Sequence, residues 1–177
     1  MIRAADYGRA LFELAWQEQK DGEIGEEMAR VRTILEGQPG YCRLLDSPAL
    51  PREQRLLLLE QAFSSLSPYH LNFLKILCEK HAVHQYAACA QVYGQLYDQA
   101  HQILRATAIT AVGMTKAQQD ALVKKLTAMT GKTVKLSNVV DSRVLGGVTL
   151  RFGGVQLDGS LQARLDALRQ SLAAATV

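Results

Sequence analysis

The chain is poor in the features that usually announce chemistry. It holds three cysteines, Cys42, Cys78 and Cys89, an odd number in no framework spacing. That excludes a disulfide scaffold and points to free thiols in a reducing compartment. No apolar run approaches the roughly 20 residues that span a bilayer, and the start enters helical periodicity without the apolar run and cleavage site of a signal peptide. The expectation is a soluble intracellular protein. Net charge is only +3, so charge alone does not select nucleic acid as partner. No nucleophile motif of the G-x-S-x-G type occurs, and no Gly/Ser-rich linker divides the chain. What is present is ordinary globular material, 48% hydrophobic and 21% charged over 177 residues, enough for one domain or two small ones.

The first part reads as helical. A helix is expected from Ile2 to Gln19, with a polar stripe of Asp6, Arg9, Glu13, Gln17 and Lys20. The remainder forms two apolar faces, one with Ala4, Gly8, Leu11, Phe12 and Ala15, the other with Tyr7, Ala10 and Leu14. A lone surface helix needs only one such stripe, so this helix is central to its bundle, or offers its second face to a partner helix, or both. Further helices are expected over Glu23–Glu36, around Tyr41–Leu45, over Arg52–Phe63 with a well-buried Leu56–Leu59 run, from an Ser67 cap and Pro68 to Lys80, and over Gln85–Ile103. Six helices with short connections favour a compact bundle of antiparallel neighbours over residues 1–104.

The pattern changes at Arg105. Arg105–Val112 is small and β-branched and reads as a strand. Thr115-Lys116-Ala117-Gln118 fits a capping box, and Gly131 sits where a helix should end. Thr133–Val140 and Val148–Phe152 alternate with period two, and Gly153-Gly154 suits a tight hairpin. After Asp158-Gly159-Ser160, Leu161, Leu165, Leu168 and Leu172 form one stripe of a terminal helix. The fold class is therefore α+β: a helical bundle over 1–104, then a small mixed sheet with helices over 105–177.

Several features imitate chemistry. Gly131-Lys132-Thr133 resembles the end of a phosphate-binding loop, but Leu126 stands where that motif needs glycine. The pairs Gly146-Gly147 and Gly153-Gly154 flank a strand and fit turns or bulges better than a nucleotide loop. Cys78, His81 and His84 have helical spacing that could gather a metal, yet no fourth ligand lies near. Glu26, Glu27 and Asp166 are read as solvated carboxylates on polar helix faces. Lys124, Lys125, Lys132 and Lys135 form a mild basic cluster, which with a pI near 8.8 keeps a nucleic-acid-binding helical module as the alternative. No catalytic site, cofactor or metal is expected.

Two stretches carry a resemblance. Tyr7-Gly8-Arg9-Ala10-Leu11-Phe12-Glu13-Leu14-Ala15 resembles an opening-helix signature of the form YA-x-ALFELA. Val140-Asp141, then Gly146-Gly147-Val148-Thr149-Leu150-Arg151, and the Asp158-Gly159-Ser160 before the last helix, resemble a VD-x3-IGG signature and its DGS. Together they are similar to the family of δ subunits of bacterial F-type ATP synthase, whose mitochondrial counterpart is the oligomycin-sensitivity-conferring protein. Departures are local: Gly8 replaces a usual alanine, His81-Ala82 a frequent Gly-Arg pair, and Gly153-Gly154 a frequent Gly-Asp.

The resemblance implies a non-catalytic stator subunit, present in one copy, that joins the catalytic head to the b subunits so that rotor torque drives ATP synthesis coupled to ion transport. It implies that the helical part binds the amphipathic N-terminal helix of an α subunit along its first and fifth helices. Tyr7, Ala10, Leu14, Ile76 and Lys80 are the residues expected to hold that helix, and replacing Ala10 by a bulky residue is expected to weaken it. The second part, with Leu172, is expected to meet the C-terminal ends of the b subunits. Gly146, Gly147, Gly153, Gly154, Asp158 and Gly159 are given turn roles. Met1 abutting the first helix favours a bacterial protein peripheral to the cytoplasmic face of the plasma membrane.

Overall fold

The computed structural model describes residues 3–143, 147–153 and 155–158. The leucine-striped terminal helix, with Leu161, Leu165, Leu168 and Leu172, lies outside the described residues, as do Gly146, Gly154 and Gly159. The chain is α+β, and it divides into two compact units, Met1–Ala100 and His101–Val177.

The first unit contains α1 (Ala4–Gln17), α2 (Asp21–Gly37), α3 (Pro39–Asp46), α4 (Arg52–Ala62), α5 (Pro68–Glu79), a 3-10 turn at Val83–Gln85, and α6 (Tyr86–Ala100). Its core includes Leu11, Ile24, Met28, Leu45, Leu59, Leu74, Leu77 and Tyr86. α1 packs most extensively on α6, and Gly8 is the reason it can. A Cβ placed there would sit 2.6 Å from the Cys89 carbonyl oxygen and 3.1 Å from the Val92 Cβ. The roughly 1 kcal/mol of helix propensity that glycine forgoes is offset by this close approach.

Three expectations change here. The Leu56–Leu59 run is only partly buried: Leu57 is 54% exposed, Leu59 is buried, and α4 also buries Arg55. Arg55 tolerates burial because one guanidinium nitrogen donates to the Leu45 and Cys78 carbonyls, at 3.1 and 2.8 Å. α6 ends at Ala100 rather than Ile103, since Gln102 takes φ 52° and breaks the helix. Ser67, expected as a cap, makes no side-chain cap to its own helix; its hydroxyl is committed to Glu27 across the core.

In the second unit, β1 (Ile103–Thr110), α7 (Lys116–Thr130), β2 (Thr133–Val140), β3 (Val148–Phe152) and β4 (Val155–Asp158) follow in order. The sheet order is β2-β1-β3-β4. β1 and β2 are parallel, with α7 as their crossover, and β1–β3 and β3–β4 are antiparallel. β1 begins two residues before the expected Arg105, because Thr133 N–H already donates to the Gln102 carbonyl. It stops at Thr110, whose hydroxyl donates to the Val112 carbonyl at 2.7 Å and turns the chain. The capping box closes as the spacing requires: Thr115 Oγ1 accepts from Gln118 N–H, and Thr115 N–H donates to Gln118 Oε1. Gly131 ends α7 at φ 68°, a conformation other residues reach only with strain. Leu104, Ala106, Val134, Leu136, Leu150 and Phe152 share the sheet face that packs with Leu122 and Leu126 of α7.

Candidate partner-binding groove

α1 and α5 touch within the bundle, and Tyr69 shows where. It stands at the start of α5, yet its ring lies 5.7 Å from the Lys20 Nζ, just beyond the end of α1. A hydrogen bond to the nearby Glu18 carboxylate raises the Tyr69 pKa. The start of α5 therefore lies beside the end of α1.

Along this seam apolar side chains stay open. Leu14 is 38% and Ile76 45% exposed; Ala10 and Lys80 are exposed, and Tyr7 is half-buried against the core. Tyr7, Ala10 and Leu14 recur at i, i+3 and i+7 and so share one stripe, while Gly8, Leu11 and Ala15 turn inward. A small residue at Ala10, flanked by larger apolar ones, leaves a shallow trough. Trp16 stands two residues beyond Leu14, roughly on the other side of α1, where it meets Phe12 at 5.9 Å. Its fluorescence would sense the trough only indirectly.

What fixes the α5 wall was not expected from sequence. Glu27, read as a solvated carboxylate, is 3% exposed. It accepts hydrogen bonds from Ser67 N–H at 2.8 Å and Ser67 Oγ at 2.7 Å, and lies 3.0 Å from His70 Nδ1. It therefore supplies from α2 the capping oxygen that α5 lacks, at the end of the helix where negative charge is favoured. His70 Nε2 is 2.8 Å from the Tyr86 hydroxyl on α6. Burial lowers the His70 pKa, against the raising effect of Glu27. The neutral imidazole thus donates from Nδ1 to Glu27, and its Nε2 faces the Tyr86 hydroxyl, which also reaches the Met28 carbonyl at 3.3 Å. The signal was available: Glu27 falls on the apolar stripe of Ile24, Met28, Val31 and Leu35 rather than opposite it.

The other marked residues take structural roles. Asp46 accepts from the Val83 and His84 N–H groups and lies 2.6 Å from His84 Nδ1. His81 sits at φ 53° just after α5, where glycine is at ease, with Nδ1 2.8 Å from the Asp46 carbonyl. Cys78 is buried, its Sγ 3.7 Å from the Leu45 carbonyl, so Cys78, His81 and His84 do not converge; no metal-holding group occurs among the described residues. A cavity of about 480 Å³ opens between α2, α3 and the start of α6. On its rim Arg32 pairs with Glu36, and His84 Nδ1 lies 2.6 Å from Asp46. Burial pushes the Cys42 thiol there upward, away from the reactive thiolate.

In the second unit, Gly147 and Gly153 have φ 87° and 54°, as turn positions require, and Asp158 accepts from the Thr149 hydroxyl at 3.2 Å. Asp141 of the Val-Asp signature is a turn residue. Arg143 holds its pKa down at about 2, chiefly by side-chain hydrogen bonding. The basic cluster does not form one patch: Lys135 points to the sheet face opposite Val134 and Leu136, and those two pack with α7, which carries Lys124 and Lys125. That removes the stripe a nucleic-acid backbone would need.

Comparison with known proteins gives the family and the fold. A family model described as the ATP synthase delta (OSCP) subunit matches residues 4–172. The ATP synthase subunit delta of Alkaliphilus oremlandii is 33% identical over 94% of this chain and 93% of its own length. That of Solidesulfovibrio magneticus is 31% identical over 97% and 96%. A chain of the Toxoplasma gondii mitochondrial ATP synthase hexamer shares the fold, with a TM-score of 0.74 at 23% identity over 97% of this chain and 98% of that one. The chain belongs to the ATP synthase delta (OSCP) subunit family, the non-catalytic peripheral-stalk subunits that hold the synthase stator.

Proposed function

We infer that residues 1–104, organised as a six-helix bundle, receive the N-terminal helix of an α subunit in the α1/α5 trough. Tyr7, Ala10, Leu14 and Ile76 supply the apolar contacts and Lys80 a charged rim. Residues 105–177 bind the C-terminal ends of the b subunits, with Leu172 among the contacts. One copy of the chain works in this way at the cytoplasmic face of a bacterial plasma membrane, and no described helix is long and apolar enough to cross it.

The observation that carries this reading is the exposure of Leu14 on α1 and Ile76 on α5, two helices that touch within the bundle. Helix-in-groove recognition uses such anchors. A stator subunit must resist torque, so its contacts need area and rigidity rather than reactive groups.

Calorimetric titration of the full chain with a synthetic peptide of the α-subunit N-terminal helix tests it. Leu14→Asp and Ile76→Asp should each weaken binding by tenfold or more, about 1.4 kcal/mol, with unchanged circular dichroism. Unaltered affinity in both variants would reject the groove.

A further inference from the structure

We propose that the cavity of about 480 Å³ between α2, α3 and the start of α6 binds a small alkyl carboxylate, with Arg43 holding the anionic head. None of its lining residues belongs to the α1/α5 trough. The volume falls within the roughly 300–1,000 Å³ of small-molecule pockets, which combine an apolar interior with a few placed polar groups. Leu35 and Val83, both buried, form the floor, and Pro39, Cys42 and Ala87 extend the apolar wall. The Cys42 thiol is turned to the Leu35 carbonyl, 3.6 Å away, and so offers the cavity little polarity. The Tyr86 ring behind this wall is already stacked on His70 and met edge-on by Phe73. An alkyl chain therefore suits the interior better than a second aromatic ring.

The rim charges select the head. Glu36 accepts from Arg32 Nε at 2.7 Å, an i,i+4 pair along α2. The Asp46 carboxylate accepts from the Val83 and His84 N–H groups at 2.8 and 3.0 Å and lies beside His84 Nδ1. Arg43 is left over. It is exposed, and among the described residues no carboxylate pairs with it. Its Nε donates to the Pro39 carbonyl at 3.5 Å, one turn back along α3, which leans the side chain toward a residue of the cavity wall. The guanidinium Nη groups remain for a ligand, and a carboxylate matches their fork with two parallel hydrogen bonds. A doubly charged head would meet Glu36 and Asp46 on the same rim, so a monoanion is favoured.

Calorimetric titration of the full chain with decanoate, below the concentration at which it self-associates, tests the site, together with nitrogen-15 spectra of the same mixture. Saturable binding is expected, with the largest amide shifts at Cys42, Val83 and Ala87. Arg43→Gln should keep the circular dichroism of the wild type and bind decanoate about tenfold more weakly at low salt. Decanol, which keeps the chain and lacks the charge, should bind both proteins alike and more weakly than decanoate binds the wild type. Absent shifts, or shifts centred elsewhere, reject the site. Equal decanoate affinity in wild type and Arg43→Gln rejects Arg43 as the holder of the head, and decyl phosphate binding more tightly than decanoate rejects the monoanion.

Discussion

The two flanks of α1 are built from similar residues and do opposite things. Toward α6, Gly8 lets the helix backbones approach until no methyl group fits beneath the Cys89 carbonyl. Toward α5, Ala10 stays open between Tyr7 and Leu14, and apolar surface remains uncovered on both helices. A small residue admits a permanent neighbour on one flank and leaves room on the other. The difference lies in what anchors the partner. α6 is held through Tyr86 and Tyr93, both almost fully buried, and Tyr93 donates to the Asp21 carbonyl at 2.7 Å. α5 is pinned at its start by Glu27 and His70, which fixes the wall of the trough without filling it.

The pin is where the contrast breaks with the largest effect. Glu27→Ala leaves the Ser67 N–H, the Ser67 hydroxyl and His70 Nδ1 without their buried acceptor. Each such loss costs about 1–3 kcal/mol, and a total near 3 kcal/mol is expected once water enters. Urea unfolding followed by circular dichroism should show it as a lower midpoint. The closed flank comes next. Gly8→Ala gains about 1 kcal/mol of helix propensity but forces a methyl against a backbone oxygen, an overpacking cost of about 1–3 kcal/mol. A net loss of about 1 kcal/mol is expected, read as a shifted urea midpoint at unchanged slope. A gain in stability would mean that α6 can give way at Cys89, and that the flank is less tightly closed than its geometry states.

Much of this was legible in the chain, and the illegible part has physical causes. Thr115-x-x-Gln118 and Gly131 announce α7, because caps and left-handed glycines are local devices that no distant contact needs to complete. The alternation of Val148, Leu150 and Phe152 gives β3 for the same reason. Arg55 and His70 could not be read that way, and Glu27 gave only its place on the apolar stripe of α2. Their burial depends on carbonyls and a hydroxyl brought by Leu45, Cys78 and Ser67 from other elements, and a charged residue's own type argues for solvent. Leu57 is the converse: an apolar run in sequence promised burial, but a helix turns only part of such a run inward. For the trough, periodicity gave Tyr7, Ala10 and Leu14 as one stripe. That α5 starts beside the end of α1 could not be read there, because Tyr69 and Lys20 meet only in three dimensions.

A smaller effect follows from the buried histidine. Its pKa is lowered by burial from 6.5, so below pH 6.5 the unfolded chain takes a proton that the folded chain refuses. Stability contributed by the neutral His70 is therefore fully present above that pH and is lost as pH falls beneath it, at up to about 1.4 kcal/mol per pH unit. Thermal unfolding at pH 7.5 and 5.5 should show a fall in Tm of a few degrees that is blunted in His70→Asn. The asparagine amide can still donate to Glu27 from the position of Nδ1, but it does not titrate. An equal fall in both proteins would place the titration elsewhere.

The smallest expected effect on stability is the sharpest test of the two flanks. Ala10→Trp sets a large side chain on an exposed helix position where nothing need move aside, and surface substitutions of this kind stay within about 0.5 kcal/mol. The urea midpoint should therefore hardly change, in contrast to Gly8→Ala, a far smaller insertion only two residues away. Affinity for the α-subunit peptide should behave in the reverse order. The indole fills the trough that a guest helix needs, and a loss of at least tenfold in calorimetry is expected for Ala10→Trp, whereas Gly8→Ala changes the side of α1 turned away from the guest and should leave the peptide affinity near wild type. If Ala10→Trp instead lowers stability as Gly8→Ala does, the α5 flank is closed in solution and the contrast between the two sides of α1 fails.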